Sequence, residues 1–118
     1  MKTTARKKAM HPSGAIELTT FKLRASLEEF IAANAVIDVW LEKQPGFRSR
    51  HMAEENDGTI VDMLLWDSVA AAEASVDRLL EELGDSPIHA MIDQRTVRWR
   101  VTPVYHAWVR RPPRALAR

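Results

Sequence analysis

Trp40-Leu41-Glu42-Lys43-Gln44-Pro45-Gly46-Phe47-Arg48-Ser49 constrains this chain more than any other stretch. It closes an amphipathic run, turns on Pro-Gly and reopens on an aromatic residue in strand-like composition. Proline pushes the residue before it out of the α region, and glycine accepts the positive φ of a tight turn, so a helix must end here and a strand begin. Nineteen residues after Phe47, Trp66-Asp67-Ser68 closes an apolar run and caps a second amphipathic one.

The rest of the chain fits around that turn as one βαββαβ unit. Ala15 to Arg24, rich in Ile, Leu, Thr and Phe, reads as a first strand. Its alternation slips, with Ile16 and Leu18 on one face and Phe21 and Leu23 on the other, so it carries a bulge or is buried on both sides. Ser26-Leu27-Glu28-Glu29 is a capping box that opens a helix predicted over Leu27 to Lys43. Phe47 to Glu55 and Thr59 to Trp66 are two strands around Asn56-Asp57-Gly58, residues that tolerate positive φ. Ser68 caps a second helix reaching Leu83, striped by Val69, Ala72, Val76, Leu79, Leu80 and Leu83 at the 3.6-residue period, with Gly84 as its C′ residue. Ser86-Pro87 restarts a short turn of helix. Gln94 to Thr102 is the last core strand, alternating Val97, Trp99 and Val101 with Thr96, Arg98 and Arg100. Pro103 is expected to break it, and Val104 to Val109 to form an edge strand or arm.

A chain of 118 residues, 46% hydrophobic and 28% charged, suits one folded domain with a core. The division expected is a basic tail at 1–14, a domain at 15–102, and an arm with a second basic tail at 103–118. There is no cysteine, which excludes disulfides and thiolate chemistry. No apolar run approaches the roughly 20 residues of a membrane span, and no apolar segment follows the basic N-terminus. Neither membrane insertion nor a signal peptide is expected, and the cytoplasm is the default location. The net charge of +1 hides an asymmetry, because residues 15–109 hold nine basic and sixteen acidic residues while both ends are basic. An acidic body is not the footprint of a nucleic-acid-binding domain, whose basic patch lies on the folded surface.

Two crossovers of this length joined by a hairpin give a ferredoxin-like α+β fold: a four-stranded antiparallel sheet with two helices on one face. The other face is apolar as well, since Val61, Met63 and Leu65 alternate with Ile60, Leu64 and Trp66. A second copy is the economical cover, so a homodimer packed sheet to sheet is expected.

The order of strand, capped helix, Pro-Gly-Phe, hairpin, Trp-Asp-Ser, helix and Ser-Pro-Ile-His resembles the antibiotic biosynthesis monooxygenase-like family of dimeric α+β barrels. The resemblance covers about residues 15 to 102. It implies a small-molecule cavity between helices and sheet and, in the oxygenase branch, chemistry without a cofactor. In the haem-degrading branch a tryptophan placed like Trp66 works with an asparagine on strand one and a histidine on helix two. Neither is found in Ala15 to Leu23 or in Ser68 to Leu83, which disfavours haem degradation.

Candidate site residues are polar groups in apolar phases. On helix one, with a stripe of Leu27, Phe30, Ile31, Ile37 and Leu41, Asn34 and Asp38 fall mid-stripe and one turn apart. They are expected to face a cavity; alternatively Asp38 pairs with an arginine and fixes packing. His51 shares a face with Phe47, Ser49 and Ala53, and histidine is the residue type best suited to act as a base at physiological pH. His89 has Asp93 one turn on, as an orienting partner or a solvated pair. Trp66 is a donor or a core anchor. Arg48 and Arg50, and Arg98 and Arg100, are same-face pairs on expected edge strands, with Glu17 and Asp62 as partners or an anion site as the rarer alternative. No metal-ligand spacing, phosphate loop or nucleophile motif occurs, so no metal and no cofactor are expected.

Two functions fit. One is cofactor-free oxidation of a small aromatic or quinol substrate, with Asp38 or His51 as base and Asn34 or Trp66 as donor. The other is a non-catalytic small-molecule-binding or stress-responsive barrel. No motif assigns a catalytic residue.

Overall fold

The computed structural model describes residues 10–112; the rest of both expected basic tails, 1–9 and 113–118, lies outside the described residues. The elements run β1 (Gly14–Leu23), α1 (Leu27–Ala33), α2 (Ala35–Glu42), β2 (Phe47–Glu54), β3 (Ile60–Trp66), α3 (Val69–Leu83), a 3-10 turn (Pro87–Met91) and β4 (Ile92–Val104). The four strands form one antiparallel sheet in the order β2-β3-β1-β4.

Local signals set most of these boundaries. Glu29 N–H donates to Ser26 Oγ at 3.0 Å while Ser26 N–H donates back to Glu29 Oε1 at 3.2 Å, closing the capping box. Gly46 sits at φ 84°, and a Cβ there would lie 2.8 Å from Ala71 Cβ, so only glycine lets the chain turn this close to α3. Gly58 at φ 87° closes the hairpin, donating to the Glu55 carbonyl at 2.9 Å. Ser68 Oγ accepts from Ala71 N–H at 3.0 Å and starts α3.

Four expectations are corrected. The predicted single helix from Leu27 to Lys43 is two segments meeting at Asn34, which stays right-handed at φ −80° and ψ −4°. The Asn34 side chain donates to the Phe30 carbonyl at 2.8 Å, one turn back, sharing that acceptor with the Asn34 backbone N–H at 3.1 Å. Pro103 does not break β4. It pairs opposite Ala15 on an edge strand, where a missing N–H is tolerated, and residues after Val104 make no further strand. Gly84 stays right-handed at φ −60°. The slipped alternation expected in β1 is a bulge, against β4 between Thr20 and Lys22, and a second, unexpected one displaces β2 against β3 between Phe47 and Ser49.

The core lies between the sheet and α1–α3. Ala15 and Phe21 of β1, Ile60, Leu64 and Trp66 of β3, Phe30, Ile37 and Leu41 of the first helices and Ala72 of α3 are buried there. Phe21 meets Phe30 edge to face at 5.6 Å, and Phe47 meets Trp66 likewise at 5.5 Å. The opposite face presents Ile16, Leu18, Val61, Met63 and Leu65, all half-buried.

Candidate functional site

The helical layer does not fill the space above the sheet. A cavity of about 280 Å³ remains, walled by apolar side chains including Phe30, Ile37, Leu64, Leu79 and Val97. Its polar lining includes Glu17 of β1, Arg50 of β2, Asp62 of β3, Asn34 between α1 and α2, His89 of the 3-10 turn and Trp99 of β4.

Glu17 is 8% exposed, and both its oxygens are held by indoles. Trp66 Nε1 donates to Oε1 at 2.9 Å and Trp99 Nε1 donates to Oε2 at 2.8 Å. Burial raises its carboxyl above the ordinary carboxylate range, the indole bonds of Trp99 and Trp66 oppose that rise, and the Asp62 charge adds to it. The register explains the convergence. Thr19, between Trp99 and Asp62, places β4 and β3 on either side of β1 with Glu17 one step along the same face.

Beside it is a second polar group centred on Arg50. Nε donates to Asp62 Oδ1 at 3.1 Å, Nη2 donates to Asp62 Oδ2 at 2.8 Å and to Asn34 Oδ1 at 2.9 Å, and Nη1 donates to Asp38 Oδ1 at 2.8 Å. Burial alone would lower the guanidinium pKa, but the bonds and charge of Asp62, then of Asp38, carry it above its usual value. Arg50 is thus permanently charged and neutralised by protein carboxylates. Every buried side-chain polar atom among the described residues has a partner.

The expected site residues separate on this frame. Asn34 is buried and lines the cavity, its amide fixed by Phe30 and Arg50. Asp38 does not lie mid-stripe. Its side chain is 59% exposed, and its one side-chain partner is Arg50 Nη1. His51 does not share a face with Phe47, because the β2 bulge reverses the phase. It stands opposite Met63 on the far side of the sheet, exposed. Trp66 is fully buried beneath the cavity and reaches it through Glu17. His89 lines the cavity with Nε2 3.0 Å from the Leu83 carbonyl, a bond that requires the proton on Nε2 and leaves Nδ1 as acceptor in the neutral ring. Asp93 is no partner of His89; Arg95 first, with Arg24, holds its carboxyl down to about 2.

Glu17, Trp99 and Asp62 were not expected in the cavity. The signal was present: Glu17 shares the phase of Ala15 and Phe21, and Asp62 that of Ile60, Leu64 and Trp66. A carboxylate in a strand's apolar phase is costly unless partnered, so it points to a built site.

A β2-β3-β1-β4 antiparallel sheet under helices, with a cavity between the layers, defines a ferredoxin-like α+β protein. Among solved structures, this arrangement is similar to SnoaB, a cofactor-independent oxygenase from Streptomyces nogalater. A point mutant of it superposes with a TM-score of 0.62 at 15% identity over 86% of this chain and 99% of that one. The monooxygenase from the gene ActVA-Orf6 of Streptomyces coelicolor, solved with the ligand nanaomycin D, gives a TM-score of 0.56 at 19% identity over 84% and 94%. What this chain shares with these structures is the fold, an antiparallel α+β sheet under helices. No protein-family model matches the chain, and no curated protein is significantly similar to it.

Proposed function

We propose that this protein oxidises a small aromatic substrate, such as an anthrone or quinol, with dioxygen and without a cofactor, as a homodimer. The observation that carries the reading is the cavity: a largely apolar chamber of about 280 Å³, near the lower end of ligand pockets, with its charged groups Glu17, Arg50 and Asp62 on the sheet side. An electron-rich substrate needs little from such a protein. Removing one proton yields a delocalised anion that reduces O₂ itself. For an anthrone the balance is a ring CH₂ and O₂ going to a ring C=O and one water, with the substrate oxidised and dioxygen reduced. The chamber's share is to exclude water, orient the ring and supply a base. The likeness to SnoaB and to the ActVA-Orf6 monooxygenase supports the reading by fold. The dimer reading is supported by Ile16, Leu18, Val61, Met63 and Leu65, which the helices leave uncovered.

Oxygen-electrode assays with anthrone and quinol panels test the activity. Consumption of O₂ by colourless, metal-free protein is expected, and stoichiometric flavin or haem in active protein refutes the cofactor-free version. A ligand that binds without turnover across the panel supports a binding barrel in its place. Light scattering should give about twice 13.4 kDa at micromolar concentration, and a stable monomer refutes the dimer.

A further inference from the structure

We infer that Glu17 is the proton acceptor of the cavity: held by the indoles of Trp66 and Trp99, its carboxylate takes the hydroxyl hydrogen bond, and then the proton, of a neutral phenolic ligand. This rests on reading the cavity as the oxygenase site and assigns the base that reading needs.

Geometry eliminates the acids Asp62 and Asp38, and with them His51, as the base. Both Asp62 oxygens accept from Arg50, Asp38 is turned out to solvent, and His51 is on the far face of the sheet. Glu17 lines the cavity, and two indole bonds occupy only two of the about four lone-pair sites a carboxylate offers, so acceptor capacity remains for a ligand. Donors from two different strands fix the plane of the carboxylate, which is what positions a base. Burial also raises its carboxyl above the ordinary value, which makes it a stronger proton acceptor than a free carboxylate.

The same geometry selects the ligand. The charged groups facing Glu17 are Asp62 of β3 and Arg50 of β2, with Asp38 of α2 behind Arg50; His89 is the cavity's other titratable group. The residues that α1, α3 and β4 contribute to the cavity include no charged ones. Arg50 is spent on Asp62 and Asp38, so no cation is left to receive an anionic group. A neutral ring bearing an O–H donor fits, and a carboxylated ring does not. In the transfer, the ligand O–H bond breaks as the Glu17 O–H bond forms, and the electron pair stays on the ligand as a delocalised phenolate. Dioxygen takes electrons from that anion, and the resulting peroxide takes the proton back from Glu17.

The probe is 2-naphthol, with naphthalene as the ring lacking a donor, and binding is followed by calorimetry from pH 4 to 8. In the wild type, naphthol affinity should rise at least about tenfold as Glu17 ionises, since a charged acceptor is the stronger partner. Naphthalene affinity should stay flat, and so should both ligands with Glu17→Gln. Naphthol binding no tighter than naphthalene at every pH overturns the assignment. Should Glu17→Gln fail to fold, Trp99→Phe decides: losing one donor to the carboxylate should move the naphthol midpoint to higher pH, and an unmoved midpoint overturns the assignment. Oxidation separates this from the broader reading. Turnover by Glu17→Gln at the wild-type rate removes Glu17 and leaves the oxygenase. Naphthol binding that follows Glu17 without turnover of any substrate removes the oxygenase and leaves Glu17.

Discussion

Arg50 draws on two aspartates that sequence reading could not rank, and the structure ranks them. Asp62 is as buried as its partner, with both side chains 12% exposed, and it accepts two bonds from the guanidinium. Asp38 accepts one bond with a side chain 59% exposed. Asp62→Leu leaves a guanidinium buried with an exposed carboxylate and an amide oxygen as partners. Breaking a buried pair from one side costs about 3–5 kcal/mol. Asp38→Leu breaks a solvent-screened pair worth roughly 0.2–1 kcal/mol and leaves Asp62 in place. At ~4 °C per kcal/mol for a domain of this size, the melting point should fall roughly 12–20 °C for Asp62→Leu and at most about 4 °C for Asp38→Leu. Against a total stability of about 5–15 kcal/mol, the former approaches unfolding. Urea titration read by tryptophan fluorescence resolves the difference. The double variant Asp62→Leu/Arg50→Met should regain most of the loss, since no orphan charge remains. Equal costs for the two single variants, or a double variant no better than Asp62→Leu, would refute the ranking.

Gly46→Ala should destabilise well beyond Gly58→Ala: both lie at positive φ, but only Gly46 would also drive a Cβ to 2.8 Å from Ala71, while nothing lies within 4 Å at Gly58. Equal urea midpoints for the two would show that the turn is not pressed against α3. Glu17 has a folded pKa above its ordinary 4.5, so its contribution is full below 4.5 and is lost as pH rises through the folded value. Asp93 behaves oppositely: held at about 2 against an ordinary 3.8, it favours the folded state above 3.8 and that favour fades as pH falls toward 2. Urea midpoints should therefore rise as pH falls through the folded Glu17 value toward 4.5 and then fall below about pH 4. A Glu17→Gln protein that keeps the same rise would refute the first limb, and an Asp93→Asn protein with an unchanged acid limb the second.

What was legible in the sequence was local. The capping box of Ser26 and Glu29, the Pro45-Gly46 turn, the Asn56-Asp57-Gly58 hairpin and the Ser68 cap each draw on neighbours within a few residues, so composition and spacing suffice to place them. Phase, by contrast, is carried along an element and fails wherever the element is interrupted. One bulge after Phe47 moved His51 to the far face and turned Arg50 inward, and the helix divides at Asn34, with Asp38 beyond the break left exposed. Neither interruption is written in the residues that suffer it. The bulge matters through what it delivers, a guanidinium placed between β3 and the helix layer, where Asp62 and Asn34 wait. The cavity's acid was hidden for a different reason. Glu17 lies on a strand whose phase was readable, but its partners come from β3 and β4, 49 and 82 residues away, and no spacing rule spans that distance. A single strand nonetheless states the problem, because a carboxylate among inward apolar residues must be partnered or expelled. Two strands here carry such an acid, Glu17 and Asp62, and two carboxylates on neighbouring strands of one covered face require a cation or several donors beside them. That requirement calls for an arginine from β2 and donors such as the tryptophans, so the site follows from charge balance on the covered face even where periodicity fails.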